Sequence, residues 1–326
     1  MAFSMKKVNW GVLSTARIGL KAVIPAIRQS TNGQVVAIAS RDSSKARETA
    51  RTLGIRDSYG SYEKLLESSD VDAVYIPLPN NLHAEWTIRA AEMGKHVLCE
   101  KPLALNADEC ARMISSCGRH DVWMMEAFMY RFHPQVCKLK QMIDAGDIGK
   151  ILAIRSDLRA KVEDPEDIRY QKELGGGALM DVGCYCVNVT RLLTGQEPVY
   201  VRGVARLDER KGVDEAFAGI MQFSRSELAL FDCGLRSTFD QTLEIVGEEA
   251  TLELPAAFLP GESPIIVRHG ERTQTIVCET ANHYQLMVEH FAACVLNDHE
   301  PHYRATDSLN NMRTIDMLYE SAKSIS

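Results

Sequence analysis

A lysine at the end of a predicted strand is the first residue of this chain that could do chemistry. Residues 97–99 form a short apolar run, and Glu100, Lys101 and Pro102 follow it directly. Such a run is typical of a buried strand, and ligands bind at the carboxyl edge of an open parallel sheet. Because Pro102 restricts Lys101 to an extended backbone, the ammonium is placed to orient a carbonyl or to lower a neighbouring pKa. The alternative is a solvated Glu–Lys pair that only ends the strand.

A second group of polar residues follows three consecutive glycines, 175–177, at the start of a predicted helix over 178–193. Asp181 and Tyr185 are four residues apart and therefore share one helix face, and Asn188 lies near that face. Three glycines allow the backbone to pass close to another group at the helix start. The alternative is a flexible hinge before a core helix with a packed tyrosine.

The elements that must position these residues alternate in the first half of the chain. Strands are predicted at 8–13, 34–40, 71–76, 97–99 and 122–127. Helices are predicted between them, ending near 27 and covering 45–53, 82–93 and 108–119. This alternation is typical of parallel βαβ units.

The first strand-to-helix turn is a candidate phosphate site. In a dinucleotide fold the pyrophosphate lies at the N-terminus of this helix, where the free N–H groups and the dipole favour an anion. The Gly-x-Gly-x-x-Gly pattern falls on Ser14, Ala16 and Gly19, so only its last position is glycine. The alternative is an ordinary tight turn in which Gly19 serves helix packing. The candidate cofactor-binding residues here are Ser14, Thr15, Ala16, Arg17 and Ile18.

The end of the second strand distinguishes NADP from NAD. An acidic residue there would bind the ribose 2′-hydroxyl of NAD, but the chain has Ser40 and Arg41, with Asp42 one residue later. A hydroxyl and a guanidinium suit a 2′-phosphate, so NADP is favoured over NAD. The alternative is that Asp42 only caps the next helix and Arg41 is solvated.

The loop after the third strand contributes three further candidates. Pro77 and Pro79 stiffen this segment, and Asn80 can cap the helix that follows. His83 is predicted in the first turn of that helix, near the edge that carries Lys101. The cofactor-binding candidates of this loop are Pro77, Asn80 and His83, with a structural histidine as the alternative for His83.

The second half has a different pattern. A helix at 135–145, several strands between 151 and 254, and two final helices at 284–296 and 307–324 predict an α+β domain with a mostly antiparallel open sheet. We therefore predict a dinucleotide-binding domain over 1–126 and a substrate-binding domain over 127–326. An alternative is that the C-terminal helix 307–324 packs back on the first domain.

Composition limits the classes of protein that fit. The 326 residues are 45% hydrophobic and carry a net charge of −7, so nothing suggests nucleic-acid binding. No apolar run is long enough to cross a bilayer. Nine scattered cysteines, an odd number, argue for free thiols in a reducing compartment, and no metal site is predicted. We therefore expect a cytoplasmic protein.

Four motifs, in order, resemble the glucose–fructose oxidoreductase / inositol dehydrogenase / MocA (GFO/IDH/MocA) family. They are Pro-Asn-Asn-Leu-His at 79–83, Gly-Lys-His-Val and Glu-Lys-Pro within 94–102, the glycine-rich segment at 175–183, and the strand pair at 244–251. The resemblance covers nearly the whole chain. It implies a Rossmann dinucleotide-binding domain, a C-terminal domain whose open sheet commonly forms a dimer, and reversible hydride transfer between NAD(P) and a hydroxyl- or carbonyl-bearing carbon of a sugar, inositol or related diol.

The chain departs from the family's helix motif at two positions. The family usually has Asp-x-Gly-x-His-x-x-Asp, whereas this chain has Asp181, Gly183, Tyr185 and Asn188. A tyrosine there, together with segment 125–134, resembles the branch of dimeric dihydrodiol dehydrogenases and NADP-dependent D-xylose dehydrogenases. The particular substrate stays open.

The resemblance and the residues together predict a catalytic pair. Tyr185 is the acid/base, and Lys101 lowers its pKa and holds the substrate oxygen. Asp181 binds a second substrate hydroxyl or positions Lys101. The resemblance also implies that Glu100 and Asn80 lie near the ribose and nicotinamide of the cofactor. The remaining pocket candidates are Phe128, Arg131, Phe132, Asn188 and Tyr284.

A different class of function stays in view. Some members of this fold bind a dinucleotide or sugar without turnover, as sensors or regulators. Loss of the lysine or of the acid/base residue would favour that interpretation. This chain has both Lys101 and Tyr185, so an enzyme is predicted.

Overall fold

The computed structural model describes residues 6–323. The chain divides into two compact units. The first contains the residues up to Met129 together with Asn282–Leu309, and the second contains Tyr130–Ala281 together with the residues from Asn310 onward. The predicted division at 126/127 left 282–309 with the second domain. Their place in the first unit follows from long-range packing, since Phe291 lies 5.7 Å from Trp10 between ring centroids.

The sheet of the first unit is parallel throughout and has six strands in the order β3-β2-β1-β4-β5-β6. This is the strand order of a Rossmann fold, which binds dinucleotides outside the carboxyl ends of the strands. The strands are β1 (Val8–Leu13), β2 (Gly33–Ala39), β3 (Asp57–Tyr59), β4 (Ala73–Ile76), β5 (His96–Cys99) and β6 (Met124–Glu126). The predicted fold class of the first domain is confirmed.

Several helices of the first unit begin at a short polar side chain that caps them. Asp42 accepts two backbone N–H bonds at the start of α2, and Asn106 accepts one at the start of α5. The helices are α1 (Ile24–Gln29), α2 (Ser43–Leu53), α3 (Tyr62–Leu66), α4 (His83–Glu92), α5 (Ala107–Arg119) and, later in the chain, α8 (His283–Asn297). A π-helical turn over Gly19–Val23 precedes α1.

The second unit is built on a nine-stranded sheet. Its main order is β15-β14-β13-β12-β7-β10-β9-β8, and β11 also pairs with β7. Only the β7–β10 pair is parallel, so the sheet is mostly antiparallel, as predicted. The strands are β7 (Ile151–Lys161), β8 (Pro198–Leu207), β9 (Asp214–Phe223), β10 (Leu228–Gly234), β11 (Arg236–Asp240), β12 (Leu243–Gly247), β13 (Thr251–Leu254), β14 (Ile265–His269) and β15 (Arg272–Ile276).

One face of this sheet is covered by helices and the other is not. The helices are α6 (Pro134–Ala145), α7 (Cys184–Thr194) and α9 (Ala305–Lys323), and a π-helical turn over Leu179–Gly183 precedes α7. Phe217 and Phe231 point inward and are buried. Ile220 and Leu230 alternate with them on the outer face and are 45% and 44% exposed. The last residue of the predicted C-terminal helix, 324, lies outside the described residues. Within 6–323, no helix is long and apolar enough to cross a membrane.

Candidate active site

The segment that carries Lys101 leaves the sheet at the carboxyl end of β5. Tyr75, fully buried at the end of the neighbouring strand β4, donates its hydroxyl to Oε1 of Glu100 at 2.7 Å. The Lys101 N–H donates to Oε2 of the same carboxylate at 3.3 Å. Burial and the Glu100 charge together raise the pKa of Tyr75 well above its ordinary value, so it stays a hydroxyl donor. Glu100 is thereby oriented, and Lys101 is half-buried beside it.

His83 is fully buried within the first unit. Its Nδ1 lies 3.0 Å from the carbonyl oxygen of Pro102 and its Nε2 lies 2.8 Å from that of Leu78. Burial lowers its pKa, and a neutral imidazole has a single N–H, which donates to one of these two carbonyls. These contacts fit the structural alternative, and the role of His83 toward a cofactor stays a prediction.

Glu126 is a buried residue beside Lys101 that the sequence analysis left without a role. It ends β6 and is 1% exposed. Its Oε1 accepts the Leu103 N–H at 2.8 Å and its Oε2 accepts the Tyr303 hydroxyl at 2.6 Å. Burial raises its pKa to about 7, against the effect of these two donors. No local pattern could have identified it, because both partners lie more than twenty residues away.

The predicted phosphate turn has the backbone that a glycine would normally provide. Ser14 has a φ of 149°, a region that L-residues rarely adopt. Its Oγ accepts the Ala16 N–H at 2.9 Å, which stabilises the turn. Thr15, Ala16 and Ile18 are half-buried and Arg17 is exposed. This turn therefore has the small residues and the exposed cation that a pyrophosphate requires.

At the end of β2, one polar residue caps the next helix and another is exposed. Oδ1 of Asp42 accepts the N–H groups of Ser44 and Lys45, so Asp42 caps α2. Ser40 is buried and its Oγ accepts the Asp42 N–H at 3.2 Å. Arg41 is exposed. Burial raises the pKa of the neighbouring Tyr62, and the charge of Arg41 partly offsets this increase. The carboxylate is thus engaged by the helix, while the guanidinium is accessible.

Tyr185 lies in an aromatic cluster of the second unit. Its ring centroid is 5.8 Å from that of Tyr130 and 5.4 Å from that of Phe258, and the residue is 7% exposed. The Tyr130 hydroxyl donates to Oδ1 of Asn188 at 2.6 Å. Asn188 is 1% exposed, and its role as a pocket residue stays a prediction. The ring of Tyr185 packs against the two aromatic rings of this cluster.

Asp181 is paired with an arginine from the preceding loop. Arg169 donates its Nε–H to Oδ2 of Asp181 at 2.6 Å, and its Nη1 also contacts Asp167. The charge of Asp181 is the largest cause of a raised pKa for Arg169. No sequence pattern indicates a role for Arg169, because segment 161–172 has the composition of a polar loop.

The consecutive glycines serve packing within the protein. A Cβ on Gly176 would lie 2.5 Å from the Arg169 carbonyl oxygen, and a Cβ on Gly177 would lie 2.3 Å from Oδ1 of Asp214. Asp214 is buried and accepts the Leu179 N–H at 2.7 Å and the Tyr319 hydroxyl at 2.8 Å. Burial raises its pKa to about 6. The close approach that the glycines predicted is to this carboxylate and to the 169–171 turn.

The other predicted site residues of the first unit differ in accessibility. Phe128 is fully buried with its ring 6.1 Å from that of Tyr303, and its role as a pocket residue stays a prediction. Pro77 is buried, and Asn80 begins a short 3₁₀ turn before α4.

Tyr284 is half-buried at the start of α8. Burial raises its pKa to about 12, and Glu100 adds to that effect. In the second unit, Arg131 and Phe132 are half-buried.

Comparison with known proteins shows the family to which this chain belongs. Residues 8–128 match a family profile described as an oxidoreductase family with an NAD-binding Rossmann fold, and residues 136–253 match the GFO/IDH/MocA C-terminal domain. The chain therefore belongs to the GFO/IDH/MocA family, and it is an oxidoreductase with a nicotinamide-dinucleotide domain. The predicted family is confirmed.

Two curated relatives span most of the chain. The chain is 38% identical to D-xylose 1-dehydrogenase (NADP(+)) 2 of Haloferax volcanii, over 96% of this chain and 97% of that protein. It is 34% identical to trans-1,2-dihydrobenzene-1,2-diol dehydrogenase of Xenopus tropicalis, over 81% of this chain and 80% of that one. Both names belong to the branch that the tyrosine at position 185 indicated.

A solved structure shares the fold over nearly its full length. It is a 3-ketoreductase from Actinomadura kijaniata in complex with NADP and TDP-benzene, with a TM-score of 0.92 and 29% identity over 97% of this chain and 98% of that chain. Structures of that ketoreductase also exist with one tyrosine replaced by phenylalanine and with one lysine replaced by alanine.

Proposed function

We propose that this protein catalyses NADP-dependent hydride transfer to or from a hydroxyl-bearing carbon of a sugar or related diol. The observation that carries the proposal is the placement of Lys101. It lies at the carboxyl end of β5, an interior strand in a sheet of Rossmann order, next to a carboxylate that Tyr75 orients. Ligands of this fold bind at that edge.

The residues of the chain fit a dinucleotide. The turn after β1 has small residues, a backbone φ at Ser14 of the kind usually found at glycine, and an exposed Arg17. Bound NADP supplies the hydride acceptor or donor of the reaction. Ser40 and Arg41 would hold the 2′-phosphate, because Asp42 is engaged in capping α2 and a guanidinium pairs with phosphate. The NADP in the names of the relatives agrees with this choice.

Proton transfer is assigned to Tyr185. Oxidation of an alcohol removes a hydride from carbon and a proton from the adjacent hydroxyl, so a base must take that proton. A free phenol has a pKa of ~10, which is too high for a base at neutral pH. A neighbouring ammonium lowers it, and Lys101 is the residue proposed for this role. The same cation would stabilise the alkoxide-like oxygen of the substrate.

Asp181 is proposed to bind a second substrate hydroxyl. Its carboxylate is already oriented by Arg169 at 2.6 Å, and an oriented acceptor loses little freedom when a hydroxyl binds. Glu100 and Asn80 are proposed to lie near the ribose and nicotinamide of the cofactor. Arg131, Phe132 and Tyr284 are proposed as pocket residues.

We also propose a homodimer formed through the outer face of the second unit's sheet. Ile220 and Leu230 are paired across β9 and β10, and they line a shallow concavity of about 910 Å³. Arg155–Glu244 and Arg159–Asp232 ion pairs flank them. Exposed apolar side chains that are paired on a sheet face favour an interaction surface there.

The activity is tested by an NADP-linked oxidation screen over pentoses, hexoses, inositols and trans-dihydrodiols, with NADPH formation followed at 340 nm. We expect substrate-dependent NADPH formation with at least one of these classes and a lower rate with NAD. Tight NADPH binding without turnover of any of them would contradict the enzyme and favour a dinucleotide-binding sensor.

A further inference from the structure

Glu126 is a buried carboxylate that contacts the segment carrying Lys101. Its Oε1 accepts the backbone N–H of Leu103 at 2.8 Å, and Leu103 is two residues beyond the lysine. Its Oε2 accepts the hydroxyl of Tyr303 at 2.6 Å, so both oxygens have donors. All of these residues belong to the first unit.

Together with two other contacts, Glu126 fixes the segment around Lys101 at Glu100, Pro102 and Leu103. Tyr75 holds Glu100, and Nδ1 of His83 lies 3.0 Å from the Pro102 carbonyl oxygen. Glu126 holds the Leu103 N–H. The backbone of Lys101 is therefore fixed from both sides, while its own side chain is half-buried.

A carboxylate is a costly way to fill this position. Taking a charged carboxyl out of water is unfavourable, and burial raises the pKa of Glu126 to about 7 despite its two donors. A leucine of similar size would pack at a lower desolvation cost. A leucine, however, would leave the Leu103 N–H without an acceptor, and that N–H is the link to Lys101.

We propose that Glu126 is a positioning residue, whose carboxylate holds the Leu103 amide and thereby fixes Lys101 in the geometry that the reaction needs. This inference rests on the proposed role of Lys101. Displacement of a catalytic group by about 1 Å is enough to cost roughly a hundredfold in rate. Glu126 therefore affects turnover through Lys101 without touching the substrate.

The first test uses hydrogen exchange on the protein alone, so it needs no substrate. Glu126→Leu keeps the volume and removes the acceptor, and Glu126→Gln keeps an amide oxygen for the Leu103 N–H. We expect exchange in the peptide covering residues 100–104 to become at least tenfold faster in Glu126→Leu and to change little in Glu126→Gln. The matched control is Glu63→Gln, which removes an exposed carboxylate that pairs with Arg89. Unchanged exchange in Glu126→Leu would overturn the proposal.

The second test combines Glu126→Leu with Lys101→Met, using the substrate returned by the NADP-linked screen. In the wild-type background we expect kcat to fall about ten- to a hundredfold, with KM for NADP changing less than threefold. In the Lys101→Met background the same substitution should cost less than twofold, because no ammonium is left to position. Glu126→Gln should restore kcat to within threefold of the wild type.

The outcomes separate this inference from the proposed function. If Lys101→Met turns over near the wild-type rate, the proposed role of Lys101 is wrong. If Lys101→Met is impaired but Glu126→Leu costs the same factor in both backgrounds, only the positioning role is wrong. Should Glu126→Leu fail to fold, Tyr303→Phe removes one donor from the carboxylate. It should lower kcat two- to fivefold only when Lys101 is present, and an equal effect in both backgrounds would overturn the proposal.

Discussion

Arg169 donates its Nε–H to Oδ2 of Asp181 over 2.6 Å, one helical turn before Tyr185. This pair joins the 3₁₀ segment Ile168–Tyr170 to the start of the glycine-rich helix. It orients one carboxylate on the helix face that also carries the proposed acid/base. The arginine therefore belongs to the site although no motif marks it.

Removing this arginine should weaken substrate binding more than turnover. Arg169→Met keeps most of the side-chain stem and releases the Asp181 carboxylate. We expect KM for the substrate to rise about tenfold with kcat changing less than threefold, the pattern for loss of ground-state and transition-state binding alike. Steady-state kinetics measures it, with Lys211→Met, which loses an ion pair to Glu166, as control. An unchanged KM would show that Asp181 does not bind substrate.

Arg41 should determine the choice of cofactor. A charge-assisted contact to a phosphate contributes roughly 1.5–3 kcal/mol, which corresponds to about ten- to a hundredfold in affinity. Arg41→Ala should therefore raise KM for NADP by that factor and leave KM for NAD within twofold. Tyr62→Phe, which removes only the neighbouring hydroxyl, should have a smaller effect. Equal effects of Arg41→Ala on the two cofactors would contradict the assignment.

The outer face of the second unit's sheet should hold two subunits together. Ile220→Lys places a charge at the centre of the apolar row and should give a monomer at micromolar concentration by light scattering. Met317→Lys is the matched control, since Met317 is 43% exposed on α9 and not on the sheet. The control should stay dimeric. A wild-type protein that is itself monomeric at this concentration would rule out the dimer.

Glu126 should make stability depend on pH. Its pKa is raised from 4.5 to about 7 in the folded protein, so between these values the folded state binds more protons than the unfolded state. Stability should consequently fall as pH rises through this interval, by up to ~1.4 kcal/mol per pH unit and about 3 kcal/mol in total.

Glu126→Gln does not titrate and should lack this part of the pH dependence. Urea unfolding between pH 4.5 and 7.5 measures the difference in free energy of unfolding between the variant and the wild type. Parallel pH profiles for the two proteins would contradict a raised pKa at Glu126.

The parts of the fold that the sequence predicted are those with a clear apolar pattern. Strands such as β1 and β5 are mostly apolar and lie in the buried sheet, and their bounds were predicted to within two residues. The missed elements are short or polar. β3 has three residues, and β15 (Arg272–Ile276) is largely exposed and has no alternating apolar pattern. The return of α8 to the first unit depends on a contact between Trp10 and Phe291, which local sequence cannot show.

The sequence marked candidates for the site where residue types and spacing formed a pattern. Lys101 was proposed from its place after a strand, and Asp181 with Tyr185 from their four-residue spacing, and their roles stay predictions. Glu126, Arg169 and Asp214 were missed because each acts through partners distant in the chain.

The predicted roles of His83 and Asn188 depend on which polar groups already have partners. Both side chains are buried and lie within hydrogen-bond distance of groups in the protein. Sequence shows the side-chain type and does not show which polar groups already have partners.

The catalytic role of Tyr185 is the central claim, and turnover of Tyr185→Phe tests it most directly. This substitution keeps the ring and its contacts with Tyr130 and Phe258 but removes the ionisable hydroxyl. We predict that kcat falls by ~10²–10⁴, the range for general acid–base catalysis, while NADPH binding by fluorescence titration changes less than threefold. Tyr130→Phe, in the same cluster, should cost less than tenfold. A Tyr185→Phe enzyme with a near-normal kcat on the true substrate would contradict the account.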